Sequence, residues 1–287
     1  LLIYLAASIL LAALLAPPLF WTGQLLAVHR PFAFLASFDF ETYFHRALLL
    51  ALLVFLWPLV IWTRIRAWHD VELQRNPGWL RDLLAGIVLA AVPLLCCGAV
   101  LVALHVFKFR PAIRWSGLAQ LAATSAAVPL IEEMFFRGLV LGILLKSGRT
   151  YVAMFLTSAF FAVVHFLKAP EHTSPVVTWL SGFNSIAHAF RPFGNLALVG
   201  AGFTTLFLLG WILADARLRT RSLWLPIGLH GGWILARGLF QTVTRRELVV
   251  LPWLGKNLLV GIVPLVIAGA TWLLIRRWVK YAHMAQD

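Results

Sequence analysis

Charge, cysteine and extended polar sequence are all scarce in this chain. Of its 287 residues, 12% are Asp, Glu, Lys or Arg and 61% are hydrophobic, far above the apolar share of an ordinary soluble domain. That balance excludes a soluble globular protein and points to a polytopic membrane protein. No segment between the apolar runs is long enough for a separate soluble domain, and the longest, residues 168–195, is itself partly apolar. The two cysteines, Cys96 and Cys97, are chain neighbours inside one apolar run. Such a pair cannot easily reach ordinary disulfide geometry, so both read as packing residues. There is no repeat period, heptad array or low-complexity tract, and the helical HExxH zinc motif is missing.

Acids are rarer than bases: 11 Asp and Glu stand against 24 Lys and Arg, a formal charge of +13. The bases do not form a nucleic-acid surface. They fall in short clusters between apolar runs, such as RLRTR at 217–221, where juxtamembrane charge meets anionic lipid. No nucleic-acid partner is expected. Asp39, Asp70, Asp82, Asp215 and Asp287 avoid the centres of the apolar runs, which argues against an aspartyl intramembrane enzyme. Ser181, before Gly182, lies in a connector, so a serine nucleophile within a span is also disfavoured.

What the chain has in abundance is apolar sequence. A bilayer crossing needs about 20 mostly apolar residues, and such runs lie near 1–21, 46–63, 83–107, 117–145, 150–167, 196–214, 223–240 and 257–275. The predicted fold class is all-α, a polytopic transmembrane bundle of about eight helices. The first run opens without Met or a polar flank and reads as a helix, with a truncated start or cleaved leader as the alternative. Trp57, Trp62, Trp115, Trp211, Trp224 and Trp272 sit near run ends, where aromatic rings anchor helices at the headgroup boundary. Residues 173–195 read as an interfacial connector, with a re-entrant lid as the alternative.

One apolar run, AAVPLIEEMFFRGLVLGILL, contains two adjacent carboxylates, Glu132 and Glu133, with Arg137 four residues on. A charged side chain near the bilayer centre costs roughly 3 kcal/mol on insertion scales, so such groups face a polar cavity or one another. Side chains four apart share a helix face, whereas neighbours point about 100° apart. Glu133 and Arg137 are therefore expected to pair as an ion pair tying helices together. Glu132 is left over, and an uncompensated intramembrane acid is costly enough to suggest a function.

Two histidines are clearly deep in apolar runs. His165 follows Phe161 by one turn, so the ring can pack on the imidazole and limit its rotamers. Taken alone, it fits a core histidine as well as a catalytic one. His230 lies in LWLPIGLHGGWIL. There Pro226 is expected to bend the helix, and Gly231 and Gly232 to admit another backbone, from a helix or an extended substrate. Of the other histidines, His105 lies toward a run end, and His29, His45, His69, His172, His188 and His283 fall in connectors or the tail. A carboxylate and two histidines suit water activation, with one group taking a proton and another stabilising an oxyanion. They equally suit zinc with an open position for water, and composition does not choose between them.

These motifs resemble the CAAX protease and bacteriocin-processing family, also called the Abi or CPBP family of intramembrane proteases. The family's Glu-Glu-xxx-Arg motif reads here as Glu132 to Arg137, its Phe-xxx-His motif as Phe161 to His165, and its later histidine as His230, in that order on separate runs. The likeness spans about residues 117–240. It implies N-terminal transmembrane helices over 1–116, a catalytic core over 117–240, and a C-terminal helix and tail over 241–287. It further implies an intramembrane endopeptidase in which Glu132 is the base for the attacking water, with His165 as its partner and His230 stabilising the oxyanion. Glu133, Arg137 and Phe161 would support the site. No cofactor is expected, with zinc on Glu132, His165 and His230 as the alternative. The expected partners are a membrane-associated peptide or protein substrate and the lipid bilayer, and the expected location is the bacterial inner (cell) membrane. A non-catalytic scaffold or immunity protein is the rival from another class. One position departs from the pattern: the family usually has Asn or Asp four residues after the third-motif histidine, and this chain has Ile234. Substitute donors would be backbone N–H groups near Gly231 or the side chain of Arg237.

Overall fold

The computed structural model describes residues 2–63, 71–74, 76–113, 115–166, 176–247, 253–254, 258–259 and 261–284. In chain order its elements are α1 (Leu2–Leu26), α2 (Phe40–Thr63), α3 (Trp79–Ala103), β1 (Phe107–Phe109), α4 (Leu118–Glu133), α5 (Leu141–Leu145), α6 (Thr150–Phe166), α7 (Ser181–Ala189), α8 (Leu196–Leu198), α9 (Thr204–Thr220), α10 (Trp224–Val243), β2 (Thr244–Arg246) and α11 (Ile262–Met284). Two π-helical turns interrupt this order, Met134–Val140 between α4 and α5, and Val199–Phe203 between α8 and α9. The described residues are mainly helical, with a short antiparallel ribbon that pairs Phe107 with Arg246 and Phe109 with Thr244. His69, His172, Asp70 and Asp287 lie outside the described residues, and His45 falls within α2 rather than in a connector.

Among the described residues five helices are long and apolar enough to cross a membrane: Ile3–Leu26, Phe40–Leu59, Trp79–Ala103, Val199–Thr220 and Ile262–Tyr281. Val199–Thr220 is 50% buried and the others 28–33%. The large side chains left outside, such as Leu53, Trp57, Val88 and Leu273, are exposed, as suits helices whose outer faces meet hydrocarbon instead of water. The protein is integral to a membrane. The other apolar runs are helical as well: α4 and α5 joined by a π-turn, the shorter α6, and α10.

The chain groups into two compact units. In the first, residues 1–65 with 167–195, α1 and α2 meet through alanines, with Ala12, Ala13, Ala16, Ala47 and Ala51 all fully buried. Small side chains let helix backbones come close, which is where dispersion gains accrue once lipid has removed the hydrophobic drive between helices. Asp39 accepts the Thr42 N–H at 3.0 Å and so caps α2, satisfying one of the donors left free at a helix start. The connector over 173–195 contains α7, whose Gly182 lies against the Ala13 backbone of α1.

The second unit, residues 66–166 with 196–287, holds the larger core, built from Leu94, Phe136, Phe161, Ile212, Leu213, Leu225, Leu229 and Trp233 among others. Its tightest seam joins α3 to α10. A Cβ on Gly86 would fall 2.6 Å from the Leu225 carbonyl, and one on Gly232 2.6 Å from the Ile87 carbonyl. Gly231 likewise faces the Ser125 carbonyl of α4, 2.7 Å from where its Cβ would stand. The glycines beside His230 thus admit neighbouring helices. Pro226 does not bend α10 as its sequence suggests. The helix starts at Trp224, so this proline sits in the first turn, where its missing N–H has no carbonyl to serve.

Candidate active site

Four elements bring the sequence-singled residues together inside the second unit. α4 ends on Glu132 and Glu133, the π-turn that follows carries Arg137, α6 presents Phe161 and His165, and α10 presents His230. The π-turn begins directly after the two carboxylates. Such turns are rare and concentrate at functional sites.

Glu133 and Arg137 form the closed half, and both side chains are fully buried. Arg137 Nη1 donates to Glu133 Oε1 at 2.9 Å, and Nη2 donates to the Gly210 carbonyl on α9 at 3.1 Å. The guanidinium carbon also lies 4.4 Å from the Phe161 ring centroid, a cation–π contact. Gly210 and the flanking Phe136 were not singled out by sequence. A Cβ on Gly210 would lie 3.1 Å from Ser158 Cα, so the glycine lets α9 close on α6 and lends the carbonyl that Arg137 uses. A glycine in an apolar run was the one available signal.

Glu132 and His165 form the open half, each side chain 27% exposed. Glu132 Oε2 lies 3.1 Å from His165 Nε2 and 3.8 Å from His230 Nε2. At 3.1 Å the first lies within hydrogen-bond reach whenever a proton is held between the two groups. The second exceeds hydrogen-bond length, which leaves His230 Nε2 free to serve another group.

The far sides of both imidazoles are fixed. His165 Nδ1 is 2.9 Å from the Phe161 carbonyl. A carbonyl only accepts, so Nδ1 carries the hydrogen. Its Nε2 and the carboxylate oxygen of Glu132 would then repel as two acceptors unless a proton is held between them. The Phe161 ring lies 4.1 Å from the imidazole centroid, which restricts its rotation. His230 Nδ1 is 2.8 Å from Glu133 Oε1, the oxygen already bound by Arg137, and therefore donates to it. Glu133 thus orients His230 from behind, much as an outer carboxylate orients a catalytic imidazole.

The chemistry available is a carboxylate and an imidazole sharing one proton, and a second imidazole whose Nε2 faces the same carboxylate oxygen. Among the described residues no set of three or more His, Cys, Asp or Glu is arranged to hold a metal ion. Ile234, one turn beyond His230, supplies no donor. Gly231 lies mid-helix in α10, where its N–H belongs to the helical ladder, so it cannot replace one. Arg237 stands two turns from His230, about 10 Å along the axis.

Residues 114–236 match the family model for type II CAAX prenyl endopeptidases, Rce1-like. All six residues of the cluster lie within that stretch. No curated protein and no solved structure shows significant similarity to the chain.

Proposed function

We propose that this chain, which carries an Rce1-like CAAX endopeptidase domain, is an intramembrane endopeptidase that hydrolyses a peptide bond of a membrane-associated substrate with a water activated by Glu132 and His165. It would act in the bacterial inner membrane, with α4, α5, α6 and α10 set in the bilayer alongside the five longer spans, about eight crossing segments in all. The observation that carries the reading is the convergence of His165 Nε2 and His230 Nε2 on one partly exposed carboxylate, at 3.1 and 3.8 Å, inside the family-matched stretch.

In this mechanism Glu132 takes a proton from water as the water oxygen attacks the peptide carbonyl carbon, and His165 holds the carboxylate in place. The carbonyl oxygen becomes an oxyanion and accepts a hydrogen bond from His230 Nε2–H. His230 then carries hydrogen on both nitrogens, and the Glu133 carboxylate facing Nδ1 stabilises that cation. Collapse of the intermediate breaks the C–N bond, and the proton held by Glu132 passes to the leaving nitrogen. With Ile234 in the position where relatives carry an amide or acid, His230 acts without that second donor. Loss of one such donor typically lowers a rate about 100- to 1000-fold, so slow turnover is expected.

The test is a proteomic comparison of membranes from cells expressing the wild-type chain or Glu132→Gln. Membrane peptides shortened only in the wild-type sample support the reading and identify the substrate. Identical peptide sets, with both proteins present and folded, favour the non-catalytic scaffold instead.

A further inference from the structure

The first unit carries a groove that the Glu132 chemistry does not use. It has a volume of about 280 Å³ and is lined by Leu19 of α1, Leu35 and Phe38 of the connector that follows, and Tyr43, Arg46 and Leu50 of α2. Its wall along α2 follows from spacing, since Tyr43, Arg46 and Leu50 stand at i, i+3 and i+7 and share one helix face. Its roof is the 3₁₀ segment Arg30–Ser37, tied down where the Tyr43 hydroxyl donates to the Leu35 carbonyl at 3.1 Å. Tyr43 is itself buried, and Gly23 of α1 makes room for its ring, because any Cβ there would collide with it. Phe32 and Phe34 of the roof are exposed, as suits a segment lying at the headgroup boundary.

The charges around the groove are unbalanced. Asp39 is engaged at the start of α2, accepting the Thr42 N–H at 3.0 Å and the Thr42 hydroxyl at 2.6 Å. Glu41 is buried and accepts the Ser185 hydroxyl of α7 at 3.1 Å. Arg46 is exposed and, among the described residues, pairs with no carboxylate. An arginine less than two turns into a membrane helix extends its guanidinium to the headgroup level while its stem lies along apolar surface. An apolar groove with one free cation at its margin matches a molecule that is apolar along its length and anionic at one end.

We propose that this groove binds an anionic phospholipid, with Arg46 donating to the phosphate and one acyl chain lying along α2 from Tyr43 to Leu50. The guanidinium fork fits two phosphate oxygens. Tyr43 and Leu50 are about 10 Å apart along the axis, and the volume lies at the lower edge of the range for ligand sites, so the groove seats a segment of one chain and leaves the other in the bilayer. A zwitterionic lipid carries a cation beside its phosphate and repels Arg46, which selects for phosphatidylglycerol over phosphatidylcholine. The site shares no residue with the Glu132 cluster and does not depend on the proposed activity.

The test is native mass spectrometry of the full chain in nonionic detergent, titrated with phosphatidylglycerol, phosphatidylcholine or single-chain lysophosphatidylglycerol. The first phosphatidylglycerol is expected to bind about tenfold more tightly than phosphatidylcholine, the worth of a hydrogen bond to a charged group. Lysophosphatidylglycerol should keep most of that affinity, and excess inorganic phosphate should not displace it. Arg46→Gln should erase the preference, whereas Arg149→Gln, at an exposed arginine of the second unit, should leave it. Leu50→Trp, which fills the groove from an exposed position, should weaken both anionic lipids at unchanged melting temperature. Equal binding of the two phospholipids, or a preference that survives Arg46→Gln, overturns the proposal. Displacement by inorganic phosphate or indifference to Leu50→Trp would show an anion contact with no seated chain, and loss of the preference in Arg149→Gln would show diffuse attraction to the positive charge of the protein; each of these overturns it too.

Discussion

Glu132 and Glu133 are neighbours in the chain and opposites in environment. Glu133 is fully buried, bound by Arg137 and by His230 Nδ1. Glu132 keeps 27% of its side chain exposed and meets only imidazoles, at 3.1 and 3.8 Å. The 100° between successive helical side chains suffices to split one dipeptide between two tasks. The inward carboxylate cancels a buried guanidinium and orients a histidine. The outward one is left with partners that can exchange protons.

Replacing each half should therefore damage different properties. The largest effect is expected at the open half: Glu132→Gln or His165→Ala should lower peptide hydrolysis about 100- to 10,000-fold, the usual worth of general acid–base catalysis, while the melting temperature in detergent stays near wild type. Arg137→Met should show the reverse pattern. It strands the Glu133 charge in the interior and should cost about 3–5 kcal/mol of stability, seen as a lower unfolding midpoint. Gly232→Val tests whether the frame behind His230 is as tight as its packing implies. Overfilling the α3–α10 seam should cost about 1–3 kcal/mol, with hydrolysis per folded molecule little changed. Ile234→Asn sharpens the comparison from the other side, since a side-chain donor one turn from His230 should raise kcat, by about tenfold if a fraction of the usual oxyanion contribution is recovered. The smallest effect is expected from a chelator, which should leave hydrolysis unchanged, with no stoichiometric zinc in metal analysis of the purified protein.

The membrane class and the cluster were legible because intramembrane charge is costly and therefore conspicuous. Glu132, Glu133, Arg137, His165 and His230 stand out against apolar sequence, and helical spacing alone pairs Glu133 with Arg137. What was not legible depends on backbone detail. The π-turn at Met134–Val140 inserts itself into a run whose apolar pattern reads as continuous helix, because apolar residues on all sides leave no phase to read. The Gly210 carbonyl belongs to the main chain and has no side-chain signature. Pro226 stands in the first turn of the run expected over 223–240 as it does in α10, so the kink expectation overlooked that a proline there breaks no helical hydrogen bond. The ribbon of Phe107–Phe109 and Thr244–Arg246 is too short for an alternating pattern. Of the eight apolar runs, those around the π-turn, α6 and α10 are not among the five long apolar spans, and these carry all the site residues. Polar groups, short length and broken regularity weaken the membrane signal where the chemistry is concentrated.

The most direct test of the division between the two carboxylates is single-turnover cleavage of a membrane peptide substrate by purified wild-type, Glu132→Gln and Glu133→Gln chains, each corrected for folded fraction by its own unfolding curve. The account predicts that Glu132→Gln remains folded and loses the chemical step, while Glu133→Gln loses mainly stability and its folded fraction cleaves faster than Glu132→Gln. Full cleavage by folded Glu132→Gln would contradict it.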